Sequence, residues 1–210
     1  MNFAVEQSRG EYVARMDSDD ICLPERLALQ KDHLDRHPHV GLVGGLVRFG
    51  GDCESGKGYK TYVDWTNTLV TEEEISLARF VESPYANPSI MFRKELVSRH
   101  GAFYDGPFPE DYEFLLRWMD AGVRMSKVPE EVLVWNDPPT RLTRNDPRYD
   151  PDAFHYRKAL HEETVAVLNA NPTVGMVYTD YQVMDSADRI TGYGKRCRIP
   201  YSKDRMLLDF

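Results

Sequence analysis

The stretch EYVARMDSDD, residues 11–20, decides how this chain is interpreted, because a short β-prone segment runs directly into three carboxylates. A strand that ends in clustered aspartates places oxygen ligands at the carboxyl edge of a sheet, where open α/β folds bind ligands. Divalent cations such as Mg²⁺ and Mn²⁺ prefer oxygen donors, usually together with the phosphates of a substrate. The alternative is an acidic turn in which Ser18 or Asp19 caps the following helix.

The composition is typical of a soluble globular protein and limits the classes of partner. The chain has 210 residues, enough for one ordinary domain or one domain plus a fragment. A hydrophobic content of 41% and a charged content of 29% indicate a folded, water-soluble chain. The net charge of −8 argues against nucleic acid as a partner, since such binding needs a basic face. A nucleotide stays compatible, because a metal can meet its phosphates.

The sequence has no apolar run long enough for a transmembrane segment and no signal segment at its start. Cys22, Cys53 and Cys197 are widely spaced and lack the spacing of a zinc site, so we interpret them as structural thiols. We therefore expect no disulfide framework and a cytoplasmic location.

Hydrophobic periodicity and turn residues predict alternating helices and strands, which is typical of α/β proteins. Leu23, Leu27 and Leu34 recur at helical spacing around Pro24, and Thr71 with Glu74 forms a capping box. The predicted helices cover residues 2–8, 24–37, 71–80, 94–100, 110–122 and 153–169. The predicted strands are 12–16 (buried), 40–49, 89–92, 132–135 and 174–184, and the predicted loops are 50–58 (mobile) and 141–151.

Glu110 and Asp111 form a second acidic site, at the predicted start of a helix. One interpretation is electrostatic, because the helix dipole favours acidic residues in the first turn. The other is catalytic: a carboxylate fixed at a helix start can act as a general base on a substrate hydroxyl, which typically contributes about 10²- to 10⁴-fold in rate.

The order of these blocks resembles glycosyltransferase family 2, which has the GT-A fold, and the resemblance covers most of residues 2–160. It implies an α/β protein with an incomplete GT-A-like, Rossmann-like mixed sheet flanked by helices. The blocks that carry it are residues 2–10 leading into 12–20, Pro24-Glu25-Arg26-Leu27 with Gln30, residues 88–93 and residues 110–117.

In this resemblance Asp17 and Asp19 match the family's DxD motif, and Asp20 matches the acid that commonly follows it. Asp17 would then face the nucleotide sugar, and Asp19 would hold Mg²⁺ or Mn²⁺ on the diphosphate. Arg141 and Arg144 resemble a basic segment that contributes to donor binding near the diphosphate. The alternative for these two arginines is a solvated loop.

The resemblance assigns Asp111 as the base that deprotonates the acceptor hydroxyl, with Glu110 beside it. It implies an inverting transfer from a nucleotide-diphosphate sugar to the hydroxyl of a saccharide or another acceptor, while the metal neutralises the departing diphosphate. The resemblance also leads us to expect a role in making a cell-surface polysaccharide. We accordingly expect a transferase in the cytoplasm, with a peripheral position at the inner membrane face as a variant of that expectation.

Two departures from the family keep other functions open. Asn87 stands where the family often has His before Pro-Ser. The resemblance also leads us to expect that the chain lacks the βαβ half that binds the base and ribose, because Met1 aligns just before the helix that leads into the DxD strand. A second copy or a complementing chain would then complete the enzyme. The alternatives are a non-catalytic remnant or interaction module of the same fold, or a metal-dependent phosphohydrolase, which would need further metal ligands.

The C-terminal part repeats an earlier pattern. Leu-x-x-x-Pro-x-Val-Gly-x-Val occurs at residues 34–43 and again at 168–177. We therefore expect a family 2-like domain over residues 1–160 and a partial second segment over 161–210 that packs on the sheet or mediates self-association. Asp150 and Asp152 flank a proline, which favours a plain helix cap over a second metal site.

Overall fold

The computed structural model describes residues 1–52, 56–106 and 108–138, together with the backbone of residues 181–184 and 190–194. The chain divides into two compact units, Met1–Tyr149 and Asp150–Phe210. In the described part of the chain, each helix is too short or too polar to cross a bilayer. Several predicted features lie outside the described residues: the loop 141–151, the helix 153–169, the first part of the strand 174–184, and the pair Asp150 and Asp152.

A five-stranded mixed sheet organises the first unit, as predicted. Its strands follow the order β1-β4-β3-β5-β2; β3 and β5 are parallel, and every other neighbouring pair is antiparallel. The strands are β1 (Tyr12–Ala14), β2 (Ile21–Cys22), β3 (Val40–Phe49), β4 (Met91–Arg93) and β5 (Arg124–Trp135). In the second unit, β6 (Tyr181–Met184) and β7 (Ile190–Gly194) pair as an antiparallel hairpin.

Six helices and a short 3₁₀ turn, Asn87–Ser89, accompany the sheet in the described part of the first unit. The capping box predicted at Thr71 is confirmed: its hydroxyl accepts from the Glu74 N–H at 3.3 Å, and the Glu74 carboxylate accepts from the Thr71 N–H at 2.9 Å. The helices are α1 (Asn2–Gln7), α2 (Arg26–Arg36), α3 (Lys57–Thr66), α4 (Glu72–Ala78), α5 (Glu95–His100) and α6 (Glu110–Asp120).

Hydrophobic clusters cover both faces of the sheet, because side chains along a strand alternate between its two sides. In β3, Leu42 joins a cluster that includes Phe114 and Trp118 of α6. Its neighbour Val43 joins a second cluster that includes Leu34 of α2. The sheet is therefore a central layer between helices, which is the arrangement that the sequence predicts.

Several sequence-based predictions need correction. The first strand is three residues long and half-buried to exposed, because it lies at the edge of the sheet. Helix α3 begins inside the predicted loop 50–58. Strand β5 begins at Arg124, well before the predicted 132–135, and β2 was not predicted. In α2, Leu27 is 55% exposed, and the buried positions are Arg26, Gln30 and Leu34.

Strand β5 carries a buried lysine. Lys127 is 3% exposed, donates to the backbone carbonyl of Thr66, and lies 5.1 Å from the ring centre of Tyr85. Burial lowers the pKa of Lys127 from its ordinary value to about 7. Between this value and the ordinary lysine pKa near 10.5, the unfolded chain binds a proton that the folded chain does not.

Stability should therefore rise between pH 7 and pH 9, and Lys127→Met should remove most of this rise, on the order of 1–2 kcal/mol in the free energy of unfolding. Urea unfolding at both pH values measures it. Lys57→Met, at an exposed position, is the matched control and should keep the wild-type slope. Equal slopes in wild type and Lys127→Met would show that Lys127 stays charged in the fold.

Candidate active site

The three aspartates of the quoted stretch share one turn between β1 and β2. One carboxylate oxygen from each of Asp17, Asp19 and Asp20 lies within 4.8 Å of the others. Three oxygen donors at this separation fit a hard divalent cation such as Mg²⁺ or Mn²⁺. The capping interpretation is wrong, because α2 begins only at Arg26 and its N-cap residue is Glu25.

The three carboxylates differ in their hydrogen bonds. Arg15 Nη1 donates to Asp17 Oδ2 at 2.6 Å, and the backbone N–H of Asn136 donates to Asp20 Oδ1 at 2.9 Å. The carboxylate of Asp19 is exposed and accepts no hydrogen bond from the described residues. Asp19 is therefore the member of the turn with both oxygens available to a ligand.

A buried arginine fixes the backbone where the turn begins. Arg26 Nη2 donates to the carbonyl of Arg15 at 2.7 Å and to that of Ile90 at 3.3 Å, and its Nε donates to Gln30 Oε1 at 3.0 Å. Gln30 Nε2 in turn donates to the carbonyl of Ser89 at 2.7 Å. These bonds join α2, the end of β1 and the segment before β4, so the start of the turn has a fixed position.

The charge of Arg26 is coupled to the turn. Burial lowers the pKa of this guanidinium, while Cys22 and, more weakly, Asp20 raise it. A buried positive charge is stabilised by a nearby negative one, and Asp20 is such a charge. The guanidinium of Arg26 and the acidic turn therefore stabilise each other electrostatically. Cys22 itself is a free, exposed thiol, whereas Cys53 and Cys197 lie outside the described residues.

The second acidic site lies at the start of α6, as predicted. Asp111 is the second residue of the helix, and its Oδ1 accepts the N–H of Tyr112 at 2.8 Å. Burial, and then repulsion from Glu110, raise the pKa of Asp111 to about 6. A carboxylate with this pKa is ionised at neutral pH and is basic enough for proton abstraction.

Arg15 connects the two acidic sites. Its guanidinium forms the ion pair with Asp17, its side chain is 13% exposed, and its charge lowers the pKa of Asp111. Its Nε is buried and has no hydrogen-bond partner within the described residues. The acidic turn and the start of α6 therefore both interact with the guanidinium of Arg15. Arg141 and Arg144, the other predicted donor-binding residues, lie outside the described residues.

Sequence reasoning assigned no role to Arg15, Arg26, Gln30 or Asn136, although each contacts the turn or supports its backbone. One available signal was the i, i+4 spacing of Arg26 and Gln30, which places two long polar side chains on the buried face of α2. Asn136 gave no such signal, because its contacts to the turn cross more than a hundred residues of sequence.

Comparison with known proteins identifies related sequences. The family model Glycosyl transferase family 2 matches residues 1–101, which include the acidic turn but not Asp111. The amylovoran biosynthesis glycosyltransferase AmsE of Erwinia amylovora is 31% identical over 134 residues, which are 63% of this chain and 47% of AmsE. The O-antigen biosynthesis glycosyltransferase WbnJ of Escherichia coli is 29% identical over 117 residues, covering 56% of this chain and 43% of WbnJ.

Among solved structures, the crystal structure of S. aureus TarS 1–349 in complex with UDP-GlcNAc aligns with a TM-score of 0.51 and 19% identity. The alignment covers 81% of this chain and 46% of that one. This likeness shows the fold, and the expected GT-A-like α/β architecture is confirmed. The chain spans less than half the length of the curated relatives it matches first.

The raised pKa of Asp111 predicts a cost to stability. Because the folded pKa exceeds the unfolded one, the stabilisation associated with the protonated carboxyl is complete below about pH 4 and lost as the pH rises through about 6. Asp111→Asn should therefore stabilise the fold at pH 8 by up to about 3 kcal/mol, and little at pH 4. The amide oxygen can still accept the Tyr112 N–H.

Urea unfolding at the two pH values checks this prediction. Asp32→Asn on the exposed face of α2 is the control and should change stability little at either pH. A destabilising Asp111→Asn at pH 8 would contradict the raised pKa.

Proposed function

We propose that this chain, whose residues 1–101 match the family model Glycosyl transferase family 2, is a member of that family and transfers a sugar from a nucleotide diphosphate to an acceptor hydroxyl with inversion. The acidic turn of Asp17, Asp19 and Asp20 is the observation that carries the proposal, because its clustered carboxylates suit a cation that binds a diphosphate. The fold supports it, since the turn follows a strand end of an α/β sheet.

Asp19 is the principal metal ligand in this proposal, and Asp17 is the second. Their cation, Mg²⁺ or Mn²⁺, would supply positive charge against the departing diphosphate. Asp19 suits the role because it is exposed and accepts no hydrogen bond from the described part of the chain. Asp17 keeps one oxygen on Arg15, which leaves the other for the cation or the donor. Asp20 closes the turn and offsets the charge of Arg26.

Arg141 and Arg144 are proposed to contact the diphosphate. The chain leaves β5 at Trp135, and Asn136 is hydrogen-bonded to the acidic turn. Arg141 follows Asn136 by five residues in the sequence. Two guanidinium groups there would add charge-assisted hydrogen bonds to phosphate oxygens.

Asp111 is the proposed base. Its carboxylate accepts the proton of the acceptor hydroxyl as the oxygen forms its bond to the anomeric carbon. With a pKa of about 6, Asp111 is ionised at neutral pH yet retains more basicity than an ordinary aspartate. Glu110 raises this pKa by repulsion, and Arg15 limits the rise. The start of α6 therefore tunes the base through its neighbours.

The names of the relatives indicate the class of product. AmsE and WbnJ are described as glycosyltransferases of amylovoran and O-antigen biosynthesis. We accordingly propose a saccharide acceptor and a role in the synthesis of a cell-surface polysaccharide from the cytoplasmic side. A phosphohydrolase has less support, because in the described residues the turn is the one acidic, cysteine or histidine group with metal-binding geometry.

Replacing Asp19 tests the metal site. Asp19→Ala should weaken Mn²⁺ binding at least tenfold and remove metal-dependent nucleotide binding, with little effect on the melting temperature because the side chain is exposed. Calorimetric titration with MnCl₂ measures the affinity. The control Asp32→Ala, an exposed aspartate on α2, should bind Mn²⁺ as wild type does. An unchanged Mn²⁺ affinity in Asp19→Ala would refute the assignment.

Replacing the acidic pair on α6 tests the base. In a preparation that transfers sugar, Asp111→Asn should lower kcat by about 10²- to 10⁴-fold while the donor Kd stays near its wild-type value. Glu110→Gln is the matched variant: removing the repulsion lowers the pKa of Asp111, so the acidic limb of the pH–rate profile should move to lower pH. A fully active Asp111→Asn would exclude it as the base.

A further inference from the structure

The end of β5 contacts the acidic turn through one residue. The backbone N–H of Asn136 donates to Asp20 Oδ1 at 2.9 Å, and its side-chain Nδ2 donates to the carbonyl of Asp19 at 2.5 Å. The first bond orients the carboxylate of Asp20, and the second fixes the peptide group of Asp19. Asn136 therefore reaches two of the three acidic residues at once.

These contacts complete the fixation of the turn. Its start is held by Arg26, which donates to the carbonyl of Arg15 at 2.7 Å. Inside the turn, the bond from the Asp20 N–H to the Asp17 carbonyl is long, at 3.4 Å, and therefore contributes little rigidity. The end of the turn is held by the contacts that Asn136 makes and, directly after Asp20, by the pairing of β2 with β5.

A glycine on β3's extension leaves room for this asparagine. The Gly50 N–H donates to the carbonyl of Trp135 at 2.8 Å, which places the two chain segments side by side. A Cβ atom added to Gly50 would lie 2.3 Å from Asn136 Oδ1 and 2.9 Å from Val134 Cγ1. Both distances are shorter than a van der Waals contact, so a side chain at position 50 would displace Asn136.

We propose that Asn136 is a positioning residue that holds Asp19 and Asp20 in the arrangement that binds the divalent cation, and that Gly50 provides the space it needs. This inference rests on the proposed function for its ligand, but the fixation of the turn is independent of that function. Asn136 acts through the two aspartates and requires no contact with the substrate.

The experiment uses the full chain and the variants Asn136→Ala, Asn136→Leu and Gly50→Ala. Asn136→Leu keeps a similar volume without the amide donor and without a new charge, which guards against a folding defect caused by lost volume. Asn67→Ala is the matched control, because Asn67 also fixes backbone groups, the N–H and carbonyl of Val47, at 3.0 and 2.8 Å.

Three readouts separate positioning from general stability: Mn²⁺ affinity by electron paramagnetic resonance, hydrogen exchange of the peptide covering residues 15–22, and melting temperature. We expect the Asn136 and Gly50 variants to bind Mn²⁺ about three- to tenfold more weakly and to exchange faster in that peptide. We expect Asn67→Ala to lower the melting temperature while leaving the Mn²⁺ affinity and this exchange unchanged.

Unchanged exchange in the Asn136 variants, or an equal increase in Asn67→Ala, would overturn the positioning role. If the wild-type chain binds no Mn²⁺, the proposed function fails, and the exchange data still decide whether Asn136 fixes the turn. Faster exchange with wild-type Mn²⁺ affinity would show that the fixation has no bearing on the cation, which also overturns the proposal.

Discussion

The buried guanidinium of Arg26 is the contact on which the site depends. It is 1% exposed and donates to the carbonyls of Arg15 and Ile90, which end β1 and precede β4. These strands pair antiparallel, so the guanidinium fixes the place where β1 leaves the sheet. A buried charge costs several kcal/mol unless polar groups surround it, and here backbone carbonyls and Gln30 do so. These contacts of Arg26 determine the position of the acidic turn.

Charge balance explains why the turn is stable as a cluster of acids. Three carboxylates within 4.8 Å repel one another, and Arg15 and Arg26 lie close enough to offset part of that repulsion. Arg15 also acts on Asp111, so the proposed donor side and the proposed base share one positive group. A site that concentrates like charges in this way costs stability, which is typical of sites selected for binding or catalysis.

The local parts of this structure were predictable from sequence, and the long-range parts were not. The capping box at Thr71 and the acidic start of α6 follow from neighbouring residues, and both are confirmed. Strand β5 was predicted too short, because Glu130 and Glu131 at its centre are exposed and interrupt the apolar pattern. Helix α3 was missed because the glycines before it favoured a loop.

In the candidate site, the acidic residues were predicted from their residue type and their spacing, because divalent cations prefer oxygen ligands and the three aspartates are close in sequence. Their supports were not foreseen, because the contacts of Arg26 and Asn136 join segments that are far apart in sequence. Such contacts depend on the register of the sheet, which spacing alone does not determine. The roles of the site residues accordingly stay predictions, whereas their positions and hydrogen bonds are given by the structure.

The central claim is that the acidic turn holds a divalent cation in a region shared with Asp111. Substoichiometric Mn²⁺ added to the isotope-labelled full chain tests it directly, because the paramagnetic ion broadens the amide resonances of nearby residues. The account predicts that resonances of Arg15, Asp17, Asp19 and Asp20 broaden first and that Asp111 follows, while those of the exposed face of α2 stay sharp. Broadening centred elsewhere, or none at all, would contradict it.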